Sequence, residues 1–173
     1  MNNNLQTFPI LITERLRLRK LSINDSEEIL QLRSNTEINK FIDRKPSKTS
    51  EDALNFINNI IDNESEELFY WAITKTGEDK LIGTICLFDF LGDLNKCEIG
   101  YELLTAYHGQ GIMIEAAKKV IEYAIKTLGI ETIDALTHKD NHSSTTLLQR
   151  LNFKKLDNIV DYNPNLILFR LTT

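Results

Sequence analysis

Apolar residues recur along this chain with two periods, and the switches between them mark its elements. Residues 10–20 alternate: Ile12, Leu16 and Leu18 fall on one side, Arg15, Arg17 and Arg19 on the other, which predicts a half-buried strand. Asn24, with Glu27 three residues on, resembles a capping box and predicts a short helix to about Arg33. A polar connection, 34–48, follows. Thr49 then caps a second helix with Ala53, Leu54, Ile57, Ile60 and Ile61 on one face. Residues 68–74 and 80–90 read as strands around a turn at Gly77-Glu78-Asp79, and Gly92-Asp93-Leu94-Asn95 turns into a further strand, 96–104. After Gly111 the period becomes helical, placing Met113, Ala117, Val120, Ile121, Ala124 and Leu128 on one face until Gly129 ends the helix. A strand at 131–137, a helix at 143–151 and a hairpin of 153–161 with 165–172 close the chain. Residues 1–9 read as a flexible tail and 10–173 as a single domain. The order βααβββαβαββ predicts a mixed α/β sheet.

Composition narrows the function classes. The net charge of −5 argues against general nucleic-acid binding. It mildly suits a cationic acceptor such as an amine, although plain solubility accounts for it better. Cys86 and Cys97 show no metal or disulfide spacing and read as reduced thiols on neighbouring strands. The opening MNNNLQTF has no apolar core of a signal peptide, and no apolar run approaches the ~20 residues of a membrane span. A cytoplasmic protein without a membrane partner is expected. His108, His138 and His142 follow no specific zinc pattern, so no metal is expected.

The stretch richest in chemistry is Cys97–Ala117, CEIGYELLTAYHGQGIMIEAA: a strand, a glycine-bearing loop and a helix. Free N–H groups and the positive end of the helix dipole can hold a phosphate at residues 108–113. A turn that needs glycine for geometry alone reads the same way. A nucleoside-triphosphate loop requires Lys and Ser/Thr after its last glycine, but Ile112 and Met113 stand there. A dinucleotide fingerprint requires a third glycine where Ile114 stands, so it fits poorly as well.

His108-Gly109-Gln110-Gly111-Ile112-Met113, followed by Glu115-Ala116, resembles the acetyl-CoA pyrophosphate loop of the GNAT N-acetyltransferases, Q/R-x-x-G-x-G/A. Here His108 takes the Q/R position and Met113 the last. Thr13-Glu14-Arg15-Leu16-Arg17-Leu18-Arg19 resembles the opening of the branch that acetylates N-termini of ribosomal proteins (RimJ/RimL-like). Asn141-His142-Ser143-Ser144 and Leu151-Asn152-Phe153 resemble that branch's N-x-x-S and L-G-F. Asn152 replaces a glycine but tolerates positive φ.

The resemblance implies a single-domain GNAT-like fold: a central mixed, mostly antiparallel sheet with helices on both faces. Strands 96–104 and 131–137 would splay to form the acetyl-CoA cleft. The open edge near Leu103 and Leu104 would pair with the pantetheine arm. His108, Gly109, Gln110, Gly111, Ile112 and Met113 would hold the pyrophosphate, with Asn141 and Ser144 near the arm and the sulfur. Glu98 would be the general base, unless the amine's proton leaves through water as in many members; Ser144 would be the donor to the departing sulfur, and Asn141 a partner of the pantetheine amide. Leu148 stands where many members have a tyrosine.

From the residues alone the roles stay open. Glu98 and Glu102 share a strand face with Gly100 between them, as bases or as surface charges. Asn141, Ser143 and Ser144 equally suit a helix cap. Leu103 and Leu104 equally suit a core. The acceptor is expected to be a primary amine, either a protein N-terminus or a small molecule, at a site bordered by Phe41, Asp43 and Trp71. A non-catalytic acyl-CoA-binding regulatory module is the alternative, and the protein is expected to be a monomer or a homodimer.

Overall fold

The computed structural model describes residues 8–63, 67–92, 95–157 and 163–173. Strands β1 (Leu11–Ile12) and β2 (Leu16–Lys20) precede helices α1 (Ser26–Ser34), α2 (Thr36–Asn39) and α3 (Ser50–Ile61). Then come β3 (Phe69–Lys75), β4 (Leu81–Leu91), β5 (Lys96–Leu103), α4 (Ile112–Lys126), β6 (Thr132–His138), α5 (His142–Arg150), β7 (Lys154–Lys155) and β8 (Leu166–Thr172). They form one eight-stranded sheet in the order β1-β2-β3-β4-β5-β6-β8-β7. Among the described residues its pairings are antiparallel except β5 with β6.

Several elements form for local reasons. The Thr49 hydroxyl accepts from Asp52 N–H, and the Asp52 carboxylate accepts from Thr49 N–H, closing the capping box of α3. α4 buries Met113, Ala116, Ala117, Val120, Ile121 and Ala124 along one stripe. Leu16, Leu18, Trp71, Ile85 and Ile99 meet that stripe and Leu148 of α5 in one cluster. Leu21, Ile29, Leu32, Ala53, Ile57, Ala72 and Leu81 form the second, with α1 and α3. The sheet therefore carries α1 and α3 on one face and α4 and α5 on the other.

Several expectations change. The strand at 10–20 breaks at Thr13, whose side chain accepts from Leu16 N–H at 2.9 Å, so β1 folds back antiparallel on β2. The turn shifts the alternation: Leu11 is buried and Ile12 is 54% exposed. Ser22 and Asp25, not Asn24 and Glu27, form the capping box before α1. Phe8 and Pro9 are docked rather than loose: Phe8 packs on the Trp71 ring, and Trp71 Nε1 donates to Pro9 C=O at 2.8 Å. The connection 34–48 contains the single turn of α2. Of the expected first hairpin strand, 153–161, only Lys154–Lys155 pair as strand among the described residues, and 158–161 lie outside them.

The feature that shapes the site is where β5 and β6 part. Their parallel register runs Lys96↔Thr132, Cys97↔Ile133 and Glu98↔Asp134, and ends there. β6 continues against β8 to His138↔Leu166, and β5 against β4 to Leu103↔Gly83. The branch point is pinned by the buried Asp134. Its carboxylate accepts from Arg170 of β8 at 2.7 and 2.8 Å and lies 2.6 Å from Lys96 Nζ of β5. Three strands are thus tied by one carboxylate, and its two cations offset the cost of burying it.

Candidate functional site

The loop before α4 is built on two left-handed glycines, Gly109 at φ +73° and Gly111 at φ +74°. The first hydrogen bond entering α4 runs from Glu115 N–H to Gly111 C=O at 3.2 Å. The N–H groups of Ile112, Met113 and Ile114 ahead of it have no helical partner. Glu115 staples this turn to the β1–β2 turn. Its carboxylate accepts from the Thr13 hydroxyl and Arg15 Nε, each at 2.6 Å, and from Arg15 N–H at 3.0 Å. Burial pushes the Glu115 carboxyl up, but those bonds outweigh it and hold it below its ordinary range. Arg15 Nη1 also donates to Gln110 C=O at 3.0 Å, which places a half-exposed guanidinium beside the loop. No sequence signal links Arg15 to Glu115, 100 residues away.

The edge of β5 leads from this loop into the gap between β5 and β6. His108 Nε2 lies 2.8 Å from Leu103 C=O and donates to it in the Nε2–H tautomer. Leu104 does not face the gap, since its N–H donates to Ile82 C=O at 2.9 Å. Hydrogen-bonded and non-bonded pairs alternate along an antiparallel ladder. Tyr101, opposite Ile85, and Leu103, opposite Gly83, therefore turn their N–H groups away from β4 and toward the gap.

Glu98 and Glu102 share the strand face toward α1 and α3, but their environments differ. Arg44 grips the Glu102 carboxylate with both terminal nitrogens, one of them at 2.8 Å. Arg44 Nε donates to Asn39 Oδ1 at 2.6 Å. This occupies Glu102 with a structural ion pair. Phe41 stacks on His138 at the end of β6, ring centroids 5.1 Å apart. The segment from Phe41 to Arg44 thereby touches both strands that border the gap. Trp71, in contrast, is fully buried in the core.

Glu98 is half-buried, beside Phe88, Asp89, Phe90 and Lys96. Among the described residues its carboxylate accepts no hydrogen bond. Burial first, then the charges of Asp89 and Asp134, push its carboxyl up, against the pull of Lys96.

On the opposite face α5 begins. Asn141 Oδ1 accepts from Ser144 N–H at 3.2 Å, so Asn141 caps this helix. The Ser144 hydroxyl lies 2.8 Å from the Tyr101 hydroxyl and so joins α5 to β5 across the gap. Burial pushes the Tyr101 phenol up to about 12, against the hydrogen bond to Ser144. Leu148, one turn on, is buried in the core. Tyr101 escaped sequence reading because its partner is 43 residues away. Cys86 and Cys97 do lie on the neighbouring strands β4 and β5, and burial pushes both thiols up to about 12. Thiols so far from ionising are poor nucleophiles. Among the described residues no three His, Cys, Asp or Glu side chains group to hold a metal, and no helix is long and apolar enough to cross a membrane.

Known proteins resemble this chain in sequence and in fold. Residues 15–154 match the family described as Acetyltransferase (GNAT) domain. A Bacillus subtilis (strain 168) protein named Uncharacterized N-acetyltransferase YoaA is 32% identical over 149 residues, 86% of this chain and 84% of that protein. The [Ribosomal protein uS5]-alanine N-acetyltransferase of Escherichia coli (strain K12) is 32% identical over 95 residues, 54% of this chain and 49% of that enzyme. In fold, the chain is similar to RimL, a ribosomal L7/L12 alpha-N-protein acetyltransferase solved in complex with coenzyme A. The TM-score is 0.82 at 16% identity, covering 95% of this chain and 98% of that one. With the family match spanning most of its length, this chain belongs to the GNAT acetyltransferases and is an N-acetyltransferase enzyme.

Proposed function

We propose that the gap between β5 and β6 holds acetyl-CoA and that the acetyl group passes directly to a peptide α-amine. The observation that carries this is the end of β5–β6 pairing at Glu98↔Asp134. It leaves the N–H groups of Tyr101 and Leu103 open to an extended amide-bearing arm, and that edge runs to the unpartnered N–H groups at the start of α4. Those groups would take the pyrophosphate with Gly109, Gln110, Gly111, Ile112 and Met113, while His108 fixes the loop by holding Leu103 C=O. Arg15 adds a cation beside it.

The pleat of β5 separates the chemistry onto two faces. Glu98 lies toward α1 and α3, where the acceptor would enter beneath the Phe41–Arg44 segment. Ser144 lies toward α4 and α5, where the sulfur would leave. The amine nitrogen attacks the thioester carbon, the C–S bond breaks, and its electron pair stays on sulfur. The nitrogen's proton passes to Glu98, whose basicity its burial raises. A backbone N–H of the open edge would bond the carbonyl oxygen as charge develops. Asn141, whose side-chain oxygen caps α5, contributes by setting the position of Ser144.

The acceptor follows from proton chemistry. An α-amine has pKa ~8 against ~10.4 for lysine, so more of it is neutral near pH 7. With Glu102 neutralised by Arg44, Glu98 and Asp89 are left to attract the protonated form. The Escherichia coli relative's action on an alanine of a ribosomal protein supports a protein N-terminus. The test is competition between peptides carrying either one free α-amine or one free lysine amine, with acetyl-CoA as donor. The α-amine peptide should be acetylated faster across neutral pH. Faster lysine acetylation would overturn the acceptor, and turnover of small amines alone would reassign it to a metabolite.

A further inference from the structure

We infer that Tyr101 is a positioning residue that orients the Ser144 hydroxyl toward the departing sulfur. The inference rests on the acetyl-CoA reading above. Two hydroxyls 2.8 Å apart share one hydrogen bond, and either can be the donor. A phenol is a far stronger acid than an alkyl alcohol, so the favoured arrangement has Tyr101 O–H donating to Ser144 Oγ. That leaves the serine proton free to point elsewhere. Ser144 N–H is already committed to Asn141 Oδ1, which fixes the backbone of the serine while Tyr101 fixes its side chain. Tyr101 lies on the strand whose open edge would pair with the acyl arm, and Ser144 on the helix across the gap. Their bond therefore closes one side of the site where the sulfur would lie.

The chemistry balances without a proton leaving Tyr101. When the C–S bond breaks, the pair on sulfur is stabilised by a hydrogen bond from Ser144 O–H, polarised by the bond it accepts from Tyr101. The amine's proton has gone to Glu98, and the released thiolate takes its own proton from water. Burial raises the Tyr101 phenol, which keeps it protonated, and so able to donate, around neutral pH. With Leu148 packed in the core one turn further along α5, that helix offers no phenol at this place. Here the aromatic hydroxyl comes from β5 instead.

The test reads the contact with sulfur directly and needs no acceptor. Dissociation constants of CoA and desulfo-CoA are measured by calorimetry at pH 9, where an alkyl thiol of pKa ~8.5 is mostly ionised. The native enzyme should prefer CoA about tenfold or more, the scale of one hydrogen bond to an anion. Ser144→Ala should abolish that preference. Tyr101→Phe, which removes one oxygen and keeps the ring, should remove most of it while leaving desulfo-CoA affinity unchanged. The double variant should match Ser144→Ala, because Tyr101 acts only through the serine. A thermal melt confirms that each variant is folded. If Tyr101→Phe keeps the preference, weakens both ligands equally, or costs more on top of Ser144→Ala, the positioning role is overturned and the acetyl-CoA reading stands. If neither ligand binds the native protein, both fall together.

Discussion

Gly111 and Gly129 stand at opposite ends of α4 and have almost the same backbone, φ +74° and +71°. An alanine Cβ at Gly129 would meet nothing within 4 Å, and one at Gly111 would meet only Arg15 Nη2 at an ordinary 3.5 Å. Neither substitution has a packing penalty, so the cost of each is left-handed strain, about 1–2 kcal/mol, less a few tenths from the stiffer unfolded chain. For a chain of this length about 1 kcal/mol lowers the melting temperature by about 2–4 °C. Gly111→Ala and Gly129→Ala should therefore melt about equally below the native protein. They should differ in ligand affinity. Relaxing φ at Gly111 tilts the N–H groups of Ile112 and Met113, and losing one bond to a charged phosphate costs about 1.5–3 kcal/mol. Calorimetry with CoA should show about tenfold or greater weakening for Gly111→Ala and none for Gly129→Ala. Equal CoA affinity in the two variants would refute the phosphate role of the loop, because strain is matched between them.

Other outcomes follow from the charged groups. Glu98 is raised by burial and by Asp89 and Asp134, so the rate should climb as pH rises through its pKa; Glu98→Gln should flatten that limb of the pH–rate profile. Arg44→Ala strips both hydrogen bonds from the Glu102 carboxylate and should cost about 3 kcal/mol in denaturant melts. It should also raise KM for the acceptor more than for acetyl-CoA. Burial pushes the Asp134 carboxyl up, but the bonds from Arg170 and Lys96 hold it below its ordinary range. A depressed carboxyl stabilises the fold above the unfolded pKa of ~3.9, and that contribution is lost as pH falls through the lower folded value. Denaturation midpoints between pH 6 and pH 2 should fall less steeply in Asp134→Asn.

Much of the local chemistry was legible in the sequence where neighbours within four positions decide a residue's state, although the box before α1 is Ser22–Asp25 rather than the expected Asn24–Glu27. Thr49 and Asp52 cap α3 because three residues separate them, and the period of 3.6 marked the buried stripe of α4. Gly77, Gly109, Gly111 and Gly129 are all left-handed, and Asn152, at φ +65°, adopts the same region in place of the expected glycine. Period two placed Glu98 and Glu102 on one face of β5, because side chains alternate along a strand. What the sequence could not show was which of these groups has a partner. Arg44 pairs with the Glu102 carboxylate from 58 residues away, while Glu98 has no such partner among the described residues. Tyr101 reaches Ser144, and Glu115 accepts from Thr13 and Arg15 in the β1–β2 turn. The gap itself exists because β6 turns to β8 after Asp134 while β5 stays with β4. Hydrogen bonds between segments far apart in sequence follow from how the sheet is assembled, and only the tertiary structure decides them.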